Sequence, residues 1–554
     1  MPVEHIIIAL ADATLAWRLQ PLGLRASERS PGATRKKVMN TNHYDFIIIG
    51  TGAGGGALAQ RLAPSGKRIL ILERGTFLPR EKENWNTNAV FIENRYHTTE
   101  VWQDSEGKPL HPQTAYWVGG NTKVYGAALF RLRERDFEEV KHEDGISPEW
   151  PLKYRDYQSF YDQAEVLYQA HGARGSDPTE PPTKQPYPQP PVSHEPRVQE
   201  IYNELAAGGY HPFPCPVGIK LNERVPWQSQ CIRCDTCDGF PCLVEAKSDA
   251  DNNCIRPIFE LPNVTLLTDA YVAKLTTNPS GREVTGVEVE FEKGKRKETY
   301  AANIVVVACG AINSAALLLR SANASHPTGL ANSSDLVGRN FMFHKAAIVL
   351  SIGLKPNPSK YMKTVAVNDF YFGEKDYPYP MGGVQLVGSF KWEMMKGEAP
   401  PFTPPVVLKT MKSHSVPWWL TTEDLPSHEN RVRWIAGKGI QLDYTPNNER
   451  PYQRLTHRWK EVLKQVDGGH TYVPEEFYLK KSIPLEGVGH QNGTCRFGSD
   501  SKNSVLNLDC RTHDIDNLYV VDASFFPSCG AVNPSLTIIA NALRVGDRLL
   551  ERLK

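Results

Sequence analysis

Short β-branched runs alternate along the chain with segments whose apolar residues keep helical spacing. This is the pattern of strands buried on both faces in an α/β core. Tyr44–Ile49 (YDFIII) predicts a buried parallel strand, Ala57–Ala63 a helix, and Arg68–Leu72 a second strand ending in Glu73. Ile304–Ala308 and Leu518–Val521 predict two more strands, each followed by a turn and a helix. In the last helix Leu536, Ile539, Ala540 and Leu543 keep the spacing. Ala346–Ile352 and Gly383–Gly388 are further strand-like runs.

Two stretches, Thr299–Leu319 and Ala523–Leu543, lack charged residues over a membrane-like length. Asn303, Gly310, Asn313 and Ser314 interrupt the first, and Pro527, Gly530, Asn533 and Pro534 the second, so both read as buried strand–turn–helix units rather than spans. The expectation is a cytoplasmic protein with no membrane span and no secretion signal. Residues 1–40 read as a flexible N-terminal extension, since 23–38 are rich in Arg, Lys, Ser, Gly and Pro. Residues 178–196 hold eight prolines and read as a surface excursion or lid, and Glu398–Pro405 is a second Pro-rich loop.

Composition narrows the partners. With 63 Lys+Arg against 62 Asp+Glu the net charge is +1, which excludes a nucleic-acid binder working through a global basic field. At 554 residues the length alone suggests three or four units of ~150 residues.

The first strand runs into Gly50-Thr-Gly52-Ala-Gly54-Gly55-Gly56. Gly50 allows a tight turn, Gly52 a close approach of backbone to a pyrophosphate, and Gly55 close packing of helix on strand; the helix N-terminus adds N–H donors. Glu73 lies 23 residues after Gly50, where a ribose diol needs an acceptor. Strand, glycines, helix, strand and acid together predict a dinucleotide, FAD or NAD rather than NADP.

The C-terminal stretches GVGHQNGTCRFG (487–498) and NLYVVDASFFPSCGAVNPSLTIIANALRVGDRL (517–549) resemble the glucose–methanol–choline (GMC) family of FAD oxidoreductases. So do YDFIIIGTGAGGGALAQRLA with ILERG at the start, YWVGGNTKVYGA (116–127), NVTLLTDAYVAKL (263–275), IVVVACGAINSAALLLRS (304–321) and RNFMFH (339–344). The resemblance implies an α/β fold (α+β overall) in which a Rossmann-like FAD-binding domain is interleaved with a substrate domain on a mostly antiparallel β-sheet. The expected segments are 41–160 for the FAD domain, 161–230 for a substrate-domain or lid excursion, and 231–345 for a Cys-rich segment plus more FAD domain. Residues 346–484 would form the substrate domain and 485–554 the last FAD segment. It also implies FAD contacts from Arg74 of ILERG, from Gly119, Gly120, Asn121 and Thr122, from the backbone of Val272, and from Asp522. Ser is usual in the family where Asn121 and Thr122 stand. Some members attach FAD through a His near position 124; here it is Val124, between Lys123 and Tyr125, so the FAD is expected to be non-covalent.

Oxidising an alcohol requires a base for the hydroxyl proton, a polar group to hold the oxygen, and an acceptor for the carbinol hydride. The family's His and His-or-Asn in these roles map to His490 and Asn533. On local grounds Asn533, followed by Pro534, also reads as a helix N-cap with Pro in the first turn. The implied reaction is oxidation of an alcohol or sugar hydroxyl by hydride transfer to flavin N5, with His490 as base. The acceptor would be a quinone, a protein or oxygen, and a dehydrogenase is preferred. The rivals are elimination or photodecarboxylation on the same fold, and a non-catalytic flavin electron-transfer module.

Five of the ten cysteines lie between Cys231 and Cys254. Cys231, Cys234, Cys237 and Cys242, at CxxCxxCx4C spacing, are candidate ligands of an iron–sulfur cluster or a zinc ion, with metal-free thiols as the alternative. A cluster there would offer the flavin an electron outlet.

Overall fold

The computed structural model describes residues 42–396, 399–400, 402–466, 485–487 and 489–554. The expected N-terminal extension lies outside them, as does part of the loop at 398–405. Asn42–Lys554 form one compact unit.

Its larger sheet has seven strands. The parallel part is ordered Val264–Leu267, Ile69–Leu72, His43–Ile49 and the C-terminal half of Arg296–Val307, with Leu518–Val520 beside that last half. Phe46–Ile49 and Ile69–Leu72 are fully buried, which is why the sequence shows unbroken β-branched runs instead of alternation. The Ile304–Ala308 run is only the end of a strand that begins at Arg296. Its first half pairs antiparallel with Val284–Phe291 and opens with four polar residues, Arg296 to Thr299, that are mostly exposed. That polar run hides the start of the strand from a search for apolar runs.

The helix after Gly52 spans Ala53–Leu62 and starts four residues earlier than its apolar spacing suggests. Glycines 54–56 are poor helix formers, but here they are demanded by packing. A Cβ on Gly54 would sit 2.0 Å from the Val521 carbonyl oxygen, and one on Gly55 2.1 Å from that of Gly50.

The second sheet is wholly antiparallel, in the order Lys345–Ile352, Ser415–Thr422, Gly383–Leu386, Val365–Val367 and Pro212–Pro214. One of its faces packs on the amphipathic helix Glu449–Leu463 through Trp418, Trp459 and Leu455. No described helix is long and apolar enough to cross a membrane.

Candidate active site

One cavity of about 620 Å³ runs from the glycine turn to the second sheet. Gly50, Gly52, Glu73, Arg74, Gly120, Asn121, Thr122, Val272, Asp522, His490 and Asn533 all line it; Gly55 and Gly119 lie just behind its wall.

At the dinucleotide end the first strand stops at Gly50, whose φ of +102° suits glycine alone. Thr51 ties the parts together. Its N–H and hydroxyl donate to Glu73 Oε2 (3.0 and 2.6 Å), and its Oγ accepts from the N–H of Gly119 (3.0 Å). Glu73 Oε1 accepts from Gly75 N–H at 2.9 Å. Burial nevertheless raises the carboxyl pKa of Glu73 above its ordinary value. A Cβ on Gly52 would meet nothing within 4 Å, so this residue faces open cavity at the helix N-terminus. These features fit a pyrophosphate-bearing cofactor. Arg74 stacks on Tyr116 with its guanidinium 3.7 Å from the ring centroid, and pairs with Glu100 at 2.5 Å. The Val272 carbonyl accepts from Arg320 at 2.7 Å.

Thr122 and Asp522 also bond within the protein. The Thr122 hydroxyl donates to the Gly119 carbonyl (2.5 Å) and accepts from Ala250 N–H (3.0 Å), so it shapes the glycine turn. Both oxygens of Asp522 are engaged, by Gly310 N–H, Ser314 and Ser524. Asn121 accepts from Ala115 N–H through its carbonyl (2.9 Å). Tyr125 lines the cavity and donates its hydroxyl to the Ser248 carbonyl.

At the other end an antiparallel bridge joins Met342 to Asn492, each N–H donating to the other's carbonyl (3.1 and 2.9 Å). Two residues along each segment, the same register sets His344 opposite His490. Their Nδ1 atoms are 2.8 Å apart. His344 Nε2 lies 3.3 Å from the Cys529 carbonyl oxygen, which can only accept. Burial lowers the pKa of His344 to about 4, so it is neutral at ordinary pH with its proton on Nε2. Its Nδ1 therefore accepts, and His490 Nδ1–H is the donor. The His490 lone pair is left on Nε2, where the Asn533 amide approaches at 3.5 Å. Burial first, then the electrostatic influence of neighbouring His344 and Lys363, holds the His490 imidazole well below its ordinary pKa.

Asn533 is held from its other side, with Gln385 Nε2 donating to its Oδ1 at 3.1 Å. The expectation that Asn533 caps the last helix is not met. The helix is Ser535–Arg552, Pro534 stands at the cap position, and no side chain caps it. The Asn533 side chain is turned into the cavity instead. Sequence reasoning passed over His344, Gln385, Lys363 and Asp238, although His344 stood in the quoted segment RNFMFH.

The metal reading of the cysteines finds no support in the structure. Among the described residues no three His, Cys, Asp or Glu side chains converge to hold an ion, and every cysteine is a free thiol. Burial raises the Cys237 thiol well above its ordinary pKa and that of Cys231 to about 11. The segment is held by lysines: Lys247 donates to the carbonyls of Cys237 (2.7 Å) and Phe240 (2.8 Å), and Lys391 pairs with Asp235.

Comparison with known proteins places this geometry. GMC oxidoreductase family models match residues 44–346 and 444–542. Paromamine 6'-oxidase of Streptomyces fradiae is 30% identical, over 96% of this chain and 95% of its own length. 6'''-Hydroxyparomomycin C oxidase of Streptomyces lividus is 30% identical, over 98% and 97%. Among solved structures, pyridoxine 4-oxidase from Mesorbium loti superposes with a TM-score of 0.63 at 18% identity, covering 91% of this chain and 99% of that one. The chain belongs to the GMC family of FAD-dependent oxidoreductases.

Proposed function

We propose that this protein binds FAD non-covalently and oxidises a primary or secondary alcohol, with His490 as the base and Asn533 as the group that holds the alcohol oxygen. The observation that carries the reading is the approach of the Asn533 amide to His490 Nε2 at 3.5 Å, both on the wall of one cavity with the glycine turn. The names of the two Streptomyces relatives, both oxidases, agree with it.

Bound FAD would supply a hydride acceptor. It would be held by the glycine turn, Glu73, Arg74, the 119–122 segment and Val272, with Val124 offering no imidazole for attachment. The residues of this chain do the rest. The alcohol oxygen sits between His490 Nε2 and Asn533 Nδ2. Nε2 takes the hydroxyl proton, and the ring proton on Nδ1 points to His344 throughout. Negative charge developing on the oxygen is met by the Asn533 N–H, whose direction Gln385 fixes from behind. Neutral imidazole, kept so by burial, is the form that can accept a proton.

The test is anaerobic bleaching of the bound flavin by sugars, aliphatic alcohols and aromatic alcohols. Bleaching by at least one class, with its carbonyl as product, is the expected result. A flavin that no alcohol reduces would overturn the reading. Admitting air to the bleached protein would separate an oxidase from a dehydrogenase.

A further inference from the structure

The same cavity carries a buried ion pair that the base and the amide leave unused. Lys363 and Asp238 line it together with His490 and Asn533. Lys363 Nζ lies 2.5 Å from Asp238 Oδ1, and Asp238 Oδ2 accepts from Gly388 N–H at 2.5 Å. The Lys363 side chain is only 4% exposed and that of Asp238 22%. An ammonium carries three N–H donors. Among the described residues, Asp238 is the one acceptor bonded to Lys363. The other two N–H groups of Lys363 have no acceptor among the described residues and are available to a ligand in the cavity that Lys363 lines.

The fold makes room for the pair. A Cβ on Gly126 would lie 1.9 Å from Asp238 Oδ1 and 2.0 Å from Lys363 Nζ. The pair thus rests against the backbone next to Tyr125. Lys363 comes from the turn just before Val365–Val367, an inner strand of the second sheet, and Asp238 from the Cys-rich segment. As a unit the pair is neutral and offers both donors and an acceptor. Such a site suits a hydroxyl better than an ammonium or a carboxylate, each of which would meet one like charge.

We propose that Lys363 and Asp238 form a hydroxyl-binding subsite, in which Lys363 donates to, and Asp238 accepts from, a substrate hydroxyl other than the one His490 deprotonates. The substrate class is then a neutral polyhydroxylated molecule, a sugar or polyol, over a monohydric alcohol of equal bulk. This rests on the alcohol-oxidation reading above. It also gives the Cys-rich segment a task without metal: delivering Asp238 to the cavity.

The test uses the FAD-loaded protein and its Lys363→Met/Asp238→Asn variant, which removes both charges together and leaves no ion unpaired. The probes are the sugar that bleaches the wild-type flavin fastest and cyclohexylmethanol, which has comparable ring bulk and a single hydroxyl. The preference for the sugar, as a ratio of bimolecular bleaching rate constants, is expected to narrow about 10- to 100-fold in the variant, as for lost hydrogen bonds to a charged group. An unchanged ratio, whether both rates fall or neither does, would overturn the subsite. Titration of the oxidised flavin spectrum with the sugar in a His490→Ala background reads binding without turnover. Weaker sugar binding on removing the pair there supports the subsite even if no alcohol is oxidised, and unchanged binding counts against it. Absence of bleaching by every alcohol in the wild type is the separate failure of the reaction itself.

Discussion

His344 and His490 face each other Nδ1 to Nδ1 at 2.8 Å, and the Cys529 carbonyl behind His344 determines which of them donates. Because that carbonyl can only accept, the protons run in one direction, from His490 to His344 to Cys529. The base nitrogen is thereby Nε2, on the cavity side. His344 is a positioning residue for His490.

Its removal has a distinctive signature. In His344→Leu the His490 tautomer is no longer fixed, and the rate constant for flavin reduction by alcohol is expected to fall about 10- to 100-fold, as for the loss of a group that orients a catalytic imidazole. In His344→Asn the side-chain carbonyl can take the place of Nδ1 as acceptor, and most of the rate should return. Stopped-flow reduction of both variants is the check. Equal losses in Leu and Asn variants would show that His344 acts only as packing.

Asn533 separates activity from stability. Its side chain caps no helix, so Asn533→Ala should leave the melting temperature nearly unchanged, rather than lose the ~1 kcal/mol typical of an N-cap. Flavin reduction should drop about 100-fold, as for loss of one donor to a developing oxyanion. Calorimetry and anaerobic reduction on the same preparation test both halves. A clear drop in melting temperature would restore the capping role.

Two neighbouring glycines should behave oppositely. Gly52→Ala puts its methyl in open cavity, so the apoprotein should fold normally and bind FAD weakly. Gly54→Ala places a methyl 2.0 Å from the Val521 carbonyl oxygen and should cost folding itself. Soluble yield, far-UV circular dichroism and FAD titration distinguish the cases.

The pH dependence follows from the depressed imidazoles. His490 works as a base only when neutral, so activity is lost as pH falls through its folded-state pKa, which lies well below 6.5. The groups around it are His344, Lys363 with Asp238, and the neutral Asn533 and Gln385. The bimolecular reduction rate constant should stay flat from pH 8 to below 6.5 and decline only at lower pH. Stability has the same sign. His344 binds its proton at about pH 4 when folded and near 6.5 when unfolded, so its contribution is full above 6.5 and is lost as pH falls toward 4. A decline in rate centred at 6.5 or above would contradict the burial argument.

How much of this was legible in the sequence depends on the kind of contact. The buried strand His43–Ile49 and its glycine turn are local, and local periodicity disclosed them. The N-terminal half of Arg296–Val307 was not disclosed, because it opens with the solvent-facing polar run Arg296–Thr299. His490 and Asn533 were found through motif resemblance alone. His344 pairs with His490 across 146 residues, and Lys363 with Asp238 across 125, so neither pairing has a local signal. The cysteines misled for the opposite reason: their spacing suggested a local ligand set, but among the described residues no three such side chains converge, and burial raises the thiol pKa of Cys231 and Cys237.

The most direct measurement of the central claim is the rate of anaerobic flavin reduction by an alcohol in His490→Ala, with FAD content read from the visible spectrum. The expected result is full FAD occupancy and a fall of about 100- to 10,000-fold, the range for a lost general base. Reduction at the wild-type rate, with the flavin still bound, would contradict the assignment of His490 as the base.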